Sequence, residues 1–131
     1  MSNGLITTTS RHSVSETLAR LRAALKQREL TMFAQIDHAA GAASVGLVLR
    51  PTTVVIFGNP KGGTPLMQEA QTVGIDLPLK MLVWEDGFGR VQLSYNDVAW
   101  IAQRHGLGAA GAPAVAALNA ALAAIAREVT A

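Results

Sequence analysis

The stretch Thr52–Pro65, TTVVIFGNPKGGTP, decides the fold. Its first half, Thr52 to Phe57, is apolar and β-branched almost throughout. That composition predicts a central strand covered on both faces. Its second half is a turn rich in glycine and proline. Thr64 is placed to cap a helix, with Pro65 at the first helical position, where a missing N–H costs nothing. Gly74 suits the left-handed position that ends such a helix. A buried strand feeding a helix through glycines is also the outline of a phosphate cradle.

The loop is not a nucleotide-triphosphate loop. That motif needs Gly, four residues, then Gly-Lys-Ser/Thr. Gly58 and Gly63 have the spacing, but Thr64 stands where the lysine belongs, and Lys61 comes before the last two glycines. The dinucleotide pattern G-x-G-x-x-G is also absent. What remains is general: N–H groups at a helix start, with a nearby ammonium, favour an anion. The competing reading is that Gly62 and Gly63 only supply backbone freedom.

Upstream, Leu5–Thr9 reads as an edge strand. Ser13 and Glu16 have capping-box spacing. Val14, Leu18, Leu21 and Leu25 then form one apolar helical stripe, with Glu16 and Arg20 able to pair across a turn. Thr31–His38 reads as a strand, with Met32, Ala34, Ile36 and His38 on one face. Ala39–Gly46 is small-residue rich and fits either a short helix or a loop.

Downstream, Leu79–Glu85 and Arg90–Tyr95 form a hairpin around Asp86–Gly89. Asn96 is expected to cap the next helix, with Tyr95 and Trp100 as a hydrophobic staple, and Gly106 ends it. The Ala-rich helix at 113–129 carries Val115, Leu118, Leu122, Ile125 and Val129 at helical spacing, either a core stripe or a packing surface. The alternation of strands and helices is incomplete and a hairpin interrupts it. This predicts an α+β fold: a mixed or antiparallel sheet of about five strands with helices on one side.

The 131 residues fit one domain, 1–131, and half are hydrophobic, enough for a core. Eleven basic and nine acidic residues leave a net charge of +2. Only Arg20, Arg22, Lys26 and Arg28 gather, on one helix, and they read as a solvated face. Nucleic acid is therefore not an expected partner. Without cysteine there is no disulfide, thiolate metal site or thiol nucleophile. No signal peptide or membrane span is read, and a cytoplasmic location is expected.

Three places carry candidate chemistry. The first is the loop Lys61, Gly62, Gly63 and Thr64. The second is His38, a strand-end imidazole able to serve as base or ligand. The third is Glu85 beside Asp86, whose side chains diverge on a strand and make a poor dyad. Each also has a purely structural reading. His105 reads as a complement to its helix dipole, and His12 shows no partner. With no clustered histidines or carboxylates, neither a metal nor a cofactor is expected.

The motifs Gly58-Asn-Pro-Lys61, Gly63-Thr-Pro-Leu-Met67, Asp76-Leu-Pro-Leu-Lys80, Trp84-Glu-Asp86, Tyr95-Asn96 and Arg104-His-Gly-Leu107 occur in an order that resembles the bacterial and archaeal family called domain of unknown function 302. The resemblance covers a core of residues 5–107; the Ala-rich tail is less diagnostic. Gly62 stands at a position expected to vary. The resemblance implies a compact α+β domain forming a homodimer. It assigns no activity and no catalytic residue. It does imply that His38, the 59–64 loop, Glu85, Tyr95 and Asn96 belong to the family's signature, which favours their forming one connected feature, whether a pocket or a structural knot.

The leading expectation is a small-molecule or anion-binding module, with Lys61 neutralising the ligand and His38 and Glu85 orienting it. The alternatives are a small enzyme with His38 and Glu85 as acid and base, and a structural homodimer joined through the Val115–Val129 stripe or a strand edge.

Overall fold

A computed structural model describes residues 3–131. The elements run β1 (Leu5–Thr9), α1 (Val14–Gln27), β2 (Thr31–Asp37), α2 (His38–Ser44), β3 (Thr52–Gly58), α3 (Pro60–Glu69), a 3-10 turn at Gln71–Ile75, β4 (Leu79–Glu85), β5 (Val91–Asn96), α4 (Val98–Arg104) and α5 (Ala112–Thr130). All five strands form one sheet in the order β1-β5-β4-β3-β2, antiparallel at every pairing. The α+β expectation holds, and the sheet is wholly antiparallel.

The period-2 pattern explains which face is covered. Thr53, Val55 and Phe57 alternate inward on β3, opposite Met81 and Val83 of β4 and beside Val91, Leu93 and Tyr95 of β5. Leu18, Leu21 and Leu25 of α1 and Leu122, Ile125 and Val129 of α5 close over them. Leu122, Ile125 and Val129 of the α5 stripe are thus core, while Val115 and Leu118 are only partly buried against it. By length and composition α5 could cross a membrane, but in this fold its large side chains are packed against α1 and the sheet.

The other face of the sheet is less covered at the β2–β3 side. β3 is central in order, yet only one of its faces is buried: Val54 and Ile56 are half-exposed. The sequence expectation of two covered faces therefore fails on this strand. On the same open face, Trp84 donates its indole N–H to Ser94 Oγ at 2.9 Å, and Thr7 and Ser94 hydroxyls meet at 2.8 Å across β1 and β5. Those polar ladders finish the β1–β5 half, whereas the β2–β3 half shows bare aliphatic side chains.

The caps account for the element ends. Ser13 Oγ accepts from Glu16 N–H as expected. Arg20 does not pair with Glu16. Its guanidinium instead donates to the carbonyls of Val129, Glu128 and Ala131, and Arg28 pairs with Glu128 at 2.6 Å. These basic residues tie α1 to the end of α5 rather than only facing water. His12 Nε2 likewise finds the Ala131 carbonyl oxygen at 2.7 Å.

α4 ends as predicted: Gly106 sits at φ +69, and the N–H groups of Gly106 and Leu107 return to the carbonyls of Gln103 and Ala102. The same pair of bonds closes α1, but there the left-handed position is occupied by Glu29 at φ 57.

Three boundaries move. β2 stops at Asp37, whose carboxylate accepts from Ala40 N–H and caps α2, so His38 begins a helix instead of ending a strand. A bulge between Met32 and Ala34 also breaks the strict alternation assumed for β2. Asn96 is the last residue of β5, and Asp97 caps α4 through Ala99 N–H. With Asp97 as the cap, Tyr95 and Trp100 no longer hold the staple positions; Trp100 lies over Gly4, where a side chain would meet the indole at 2.5 Å. α3 starts at Pro60 rather than Pro65, with Asn59 rather than Thr64 as its cap, and ends at Glu69, so Gly74 falls within the following 3-10 turn.

Candidate functional site

The shift in α3 changes the central motif. Asn59 is the cap and Pro60 the first helical residue. Gly62, Gly63 and Thr64 lie inside the first turns, and Pro65 sits within the helix. The general rule about proline at a helix start holds, but it applies to Pro60, one motif earlier. Asn-Pro was the available signal, because a capping Asn followed by a first-position Pro is as good a start as Thr-Pro.

The helix start makes no open anion cradle. Lys61 N–H donates to Asn59 Oδ1 at 2.8 Å. The N–H groups of Gly62 and Gly63 both return to the Asn59 carbonyl, at 2.9 and 3.3 Å. Pro60 has none to offer. The glycines serve close packing instead: a Cβ on Gly62 would lie 3.0 Å from a Leu118 methyl on α5, and one on Gly63 would lie 3.2 Å from a Leu77 methyl.

A cavity of about 610 Å³ opens beside this turn. Leu30, Phe33, Met67, Leu77, Leu79 and Leu118 supply its apolar walls, and the backbone from Gly58 to Thr64 forms one side. Its volume is that of an ordinary small-molecule site. Lys61 is the sole charged residue in the lining. It is exposed, and its ammonium has no hydrogen-bond or ion-pair partner among the described residues.

The remaining candidates do not join it. Lys61 follows the C-terminal end of β3, while His38 follows Asp37, which pairs with Thr53 at the other end of that strand. Seven residues of strand put these ends about 20 Å apart. Glu85 is at the His38 end, its N–H bonded to the Pro51 carbonyl. β3 runs between β2 and β4, so His38 and Glu85 flank it about 9–10 Å apart by strand spacing. No hydrogen bond or ion pair links them among the described residues, and neither lines the cavity. The expected single feature uniting His38, Glu85 and the loop is therefore not assembled in one chain.

Tyr95 is buried on the core face of β5, away from the cavity lining. Burial, helped by the nearby Asp97 carboxylate and opposed by Arg127, raises its phenol above the usual value. Asn96 pairs with Leu5 at the sheet edge. Asp86, set aside as half of a poor dyad, organises the hairpin: Oδ1 accepts from the N–H groups of Phe88 and Arg90, and Oδ2 from the Gln92 amide. The Arg90 N–H, with Gln92 and Phe88, holds its carboxyl below the ordinary range against a smaller opposing effect of desolvation.

One cluster escaped sequence reading. His105 Nε2 lies 2.6 Å from Asp76, Arg104 donates to both oxygens of that carboxylate at 3.0 Å, and His105 Nδ1 meets the Thr72 hydroxyl at 2.9 Å. A carboxylate only accepts, so Nε2 carries a proton toward Asp76, while Nδ1 and the Thr72 hydroxyl share the second hydrogen bond. The order hydroxyl, imidazole, carboxylate echoes a nucleophile triad. Here it lies on a 3-10 turn and a helix end, and none of the three lines the cavity. Its evident work is to tie α4 to the Gln71–Asp76 turn. The signal was the joint presence of Asp76 and Arg104-His105 in the motifs, 28 residues apart.

A family model described as "domain of unknown function DUF302" matches residues 6–125, which extends well into α5. The crystal structure of an uncharacterised conserved DUF302 protein from Bacillus stearothermophilus has the same fold, with TM-score 0.87 over 98% of this chain and 99% of that one, at 21% identity. Among curated proteins, the chain is 51% identical over 116 residues to the fluoride-specific ion channel FluC 1 of Brucella suis and, equally, to FluC 1 of Brucella abortus. Those matches cover 88% of this chain but only 46% and 43% of the relatives. The chain thus spans about half the length of the curated relatives it matches.

Proposed function

The chain belongs to the DUF302 family, and we propose that within it this domain is a small-molecule binding module whose site is the cavity beside α3. The observation that carries this reading is coincidence. The most distinctive motif of the sequence, Gly58 to Thr64, forms one wall of a ligand-sized apolar cavity. Glycines at 58, 62 and 63 bring that backbone against its neighbours with no side chain to fill the space. Filling the cavity from within tests it. Leu118→Trp should lower the affinity for any ligand found at least tenfold while the fold, read by circular dichroism, persists. Unchanged affinity in a folded variant would reject the site.

The channel activity named for the Brucella relatives is read here as residing in the half of those proteins that this chain does not match. An ion path needs membrane-spanning elements with satisfied backbone. Among the described residues the one helix long and apolar enough, α5, uses its large side chains for the domain core. The domain would then be an accessory unit attached to a channel in those relatives. Expressing the two halves of the Brucella suis protein separately, and assaying fluoride flux in vesicles, tests this division.

A second reading, the homodimer, is favoured by a separate observation. Val45, Leu47, Val48 and Leu49 stand exposed between α2 and β3, with Val48 fully exposed. They adjoin the strand pair whose open face shows Ile36, Val54 and Ile56. Monomers rarely leave so much contiguous apolar surface bare. A second copy covering this half of the sheet would shield it, and it would do so away from the α5 stripe.

A further inference from the structure

The cavity's chemistry narrows its ligand. We infer that it takes an amphipathic monoanion: an apolar chain or ring system carrying one carboxylate-type group. The apolar part would lie against Leu77, Leu118 and Phe33 and the anionic head at the Lys61 ammonium. This rests on the reading of the cavity as a ligand site and goes beyond it by naming the ligand class.

Two facts exclude the simpler anion. The first-turn N–H groups that would hold a bare phosphate or halide are already used, two of them by the Asn59 carbonyl and one by its side-chain oxygen. The one remaining positive group, Lys61, is exposed. A screened ammonium at a rim changes affinity by about fivefold at most. It cannot retain a small, strongly hydrated ion alone.

Apolar burial can supply the rest. Each methylene taken from water into such a cavity strengthens binding by about fourfold. The walls are leucine, phenylalanine and methionine, and the lining holds no acidic residue. An amphipathic cation gains the same burial but meets Lys61 with like charge, and a neutral alcohol gains the burial alone. Head-group charge therefore selects, while chain length sets affinity.

The test is calorimetric titration of the intact chain with hexanoate, octanoate and decanoate, and with decanol, decylammonium, inorganic phosphate and fluoride. The expected result is affinity rising by about three- to fourfold per methylene, decanoate binding more tightly than decanol, and decylammonium weakest. Lys61→Glu should lose or reverse the preference of decanoate over decylammonium while leaving decanol unchanged. Phe33→Glu, a change at a largely exposed wall position, should weaken decanoate without unfolding the domain.

If decanoate, decanol and decylammonium bind equally and Lys61→Glu alters none, the cavity survives as a site and the anionic head is refuted. If phosphate or fluoride binds through Lys61 and decanoate does not, the ligand class is wrong in the opposite sense. If none of the probes binds, both the ligand class and the cavity reading fall.

Discussion

The Asp76 carboxylate lies between two side chains of one helix end, 2.6 Å from the His105 imidazole Nε2 and 3.0 Å from the Arg104 guanidinium Nη1. His105 is nearly buried there, while Arg104 stays half in water. Removing the acceptor leaves an enclosed imidazole N–H without its partner. Hydrogen bonds to charged groups contribute about 1.5–3 kcal/mol, and the stranded donor adds its desolvation. Asp76→Ala is expected to lower unfolding free energy by roughly that amount, measured in urea. If the cluster were instead a nucleophile triad, Thr72→Val would abolish an esterase activity that the wild-type chain displays. The account predicts no such activity and a fold that tolerates Thr72→Val.

Glu29 occupies a left-handed position that costs an ordinary L-residue energy. It is the sole non-glycine residue with positive φ among those described. Its side chain is exposed, so nothing in the core resists change. Glu29→Gly should raise unfolding free energy by about 0.5–1 kcal/mol, because relief of strain outweighs the added freedom of the unfolded chain. Thermal melting at fixed protein concentration checks this; a lower midpoint would contradict it.

Tyr95 is the one tyrosine of the chain, so its ionisation can be followed cleanly by ultraviolet absorbance. Burial first, then the Asp97 carboxylate, raise its phenol above the ordinary value of 10.0. A raised folded value means its stabilising contribution is complete below the unfolded value. That contribution is lost as pH rises through the folded value. Titration of Tyr95 should therefore add no pH dependence to stability near neutrality and should lower stability above pH 10. The phenolate should appear at higher pH in the folded chain than in the chain unfolded in urea. Tyr95→Phe should remove this alkaline limb.

The exposed residues Leu47 and Val48 give the dimer reading a direct handle. Replacing both with lysine should leave the monomer fold intact, since neither side chain is buried. It should also shift the sedimentation mass from two chains to one. A wild-type chain that sediments as a monomer at all concentrations would reject that interface.

Much of this architecture was legible in the sequence. The hairpin at Asp86–Gly89, the Ser13 cap and the Gly106 helix end follow from local chemistry, and local chemistry is what a sequence displays. The start of α3 is ambiguous in the sequence because Asn59-Pro60 and Thr64-Pro65 offer the same start signal. The choice between them depends on how Gly62 meets Leu118, 56 residues away in the chain. β3 reads as covered on both faces because it is apolar on both, yet only Thr53, Val55, Phe57 and the terminal Gly58 are buried. The aliphatic side chains left over on the open face are what point to a partner.

The sequence places both His38 and Glu85 at strand ends. Strand ends come in two sets, top and bottom, and only the register of β2 on β3 assigns them. That register puts both at the end opposite Lys61. The cavity itself could not be read from composition. Its walls come from the residues around Leu30, Phe33, Leu77 and Leu118, which the antiparallel order brings to one corner.

Amide chemical-shift mapping during titration with decanoate tests the central claim most directly. The account predicts saturable shifts confined to the cavity wall, led by the amides of Gly58, Gly62, Gly63 and Gly74, and lost in Leu118→Trp. Shifts centred on His38 and Glu85, or saturation with no shift at those glycines, would contradict it.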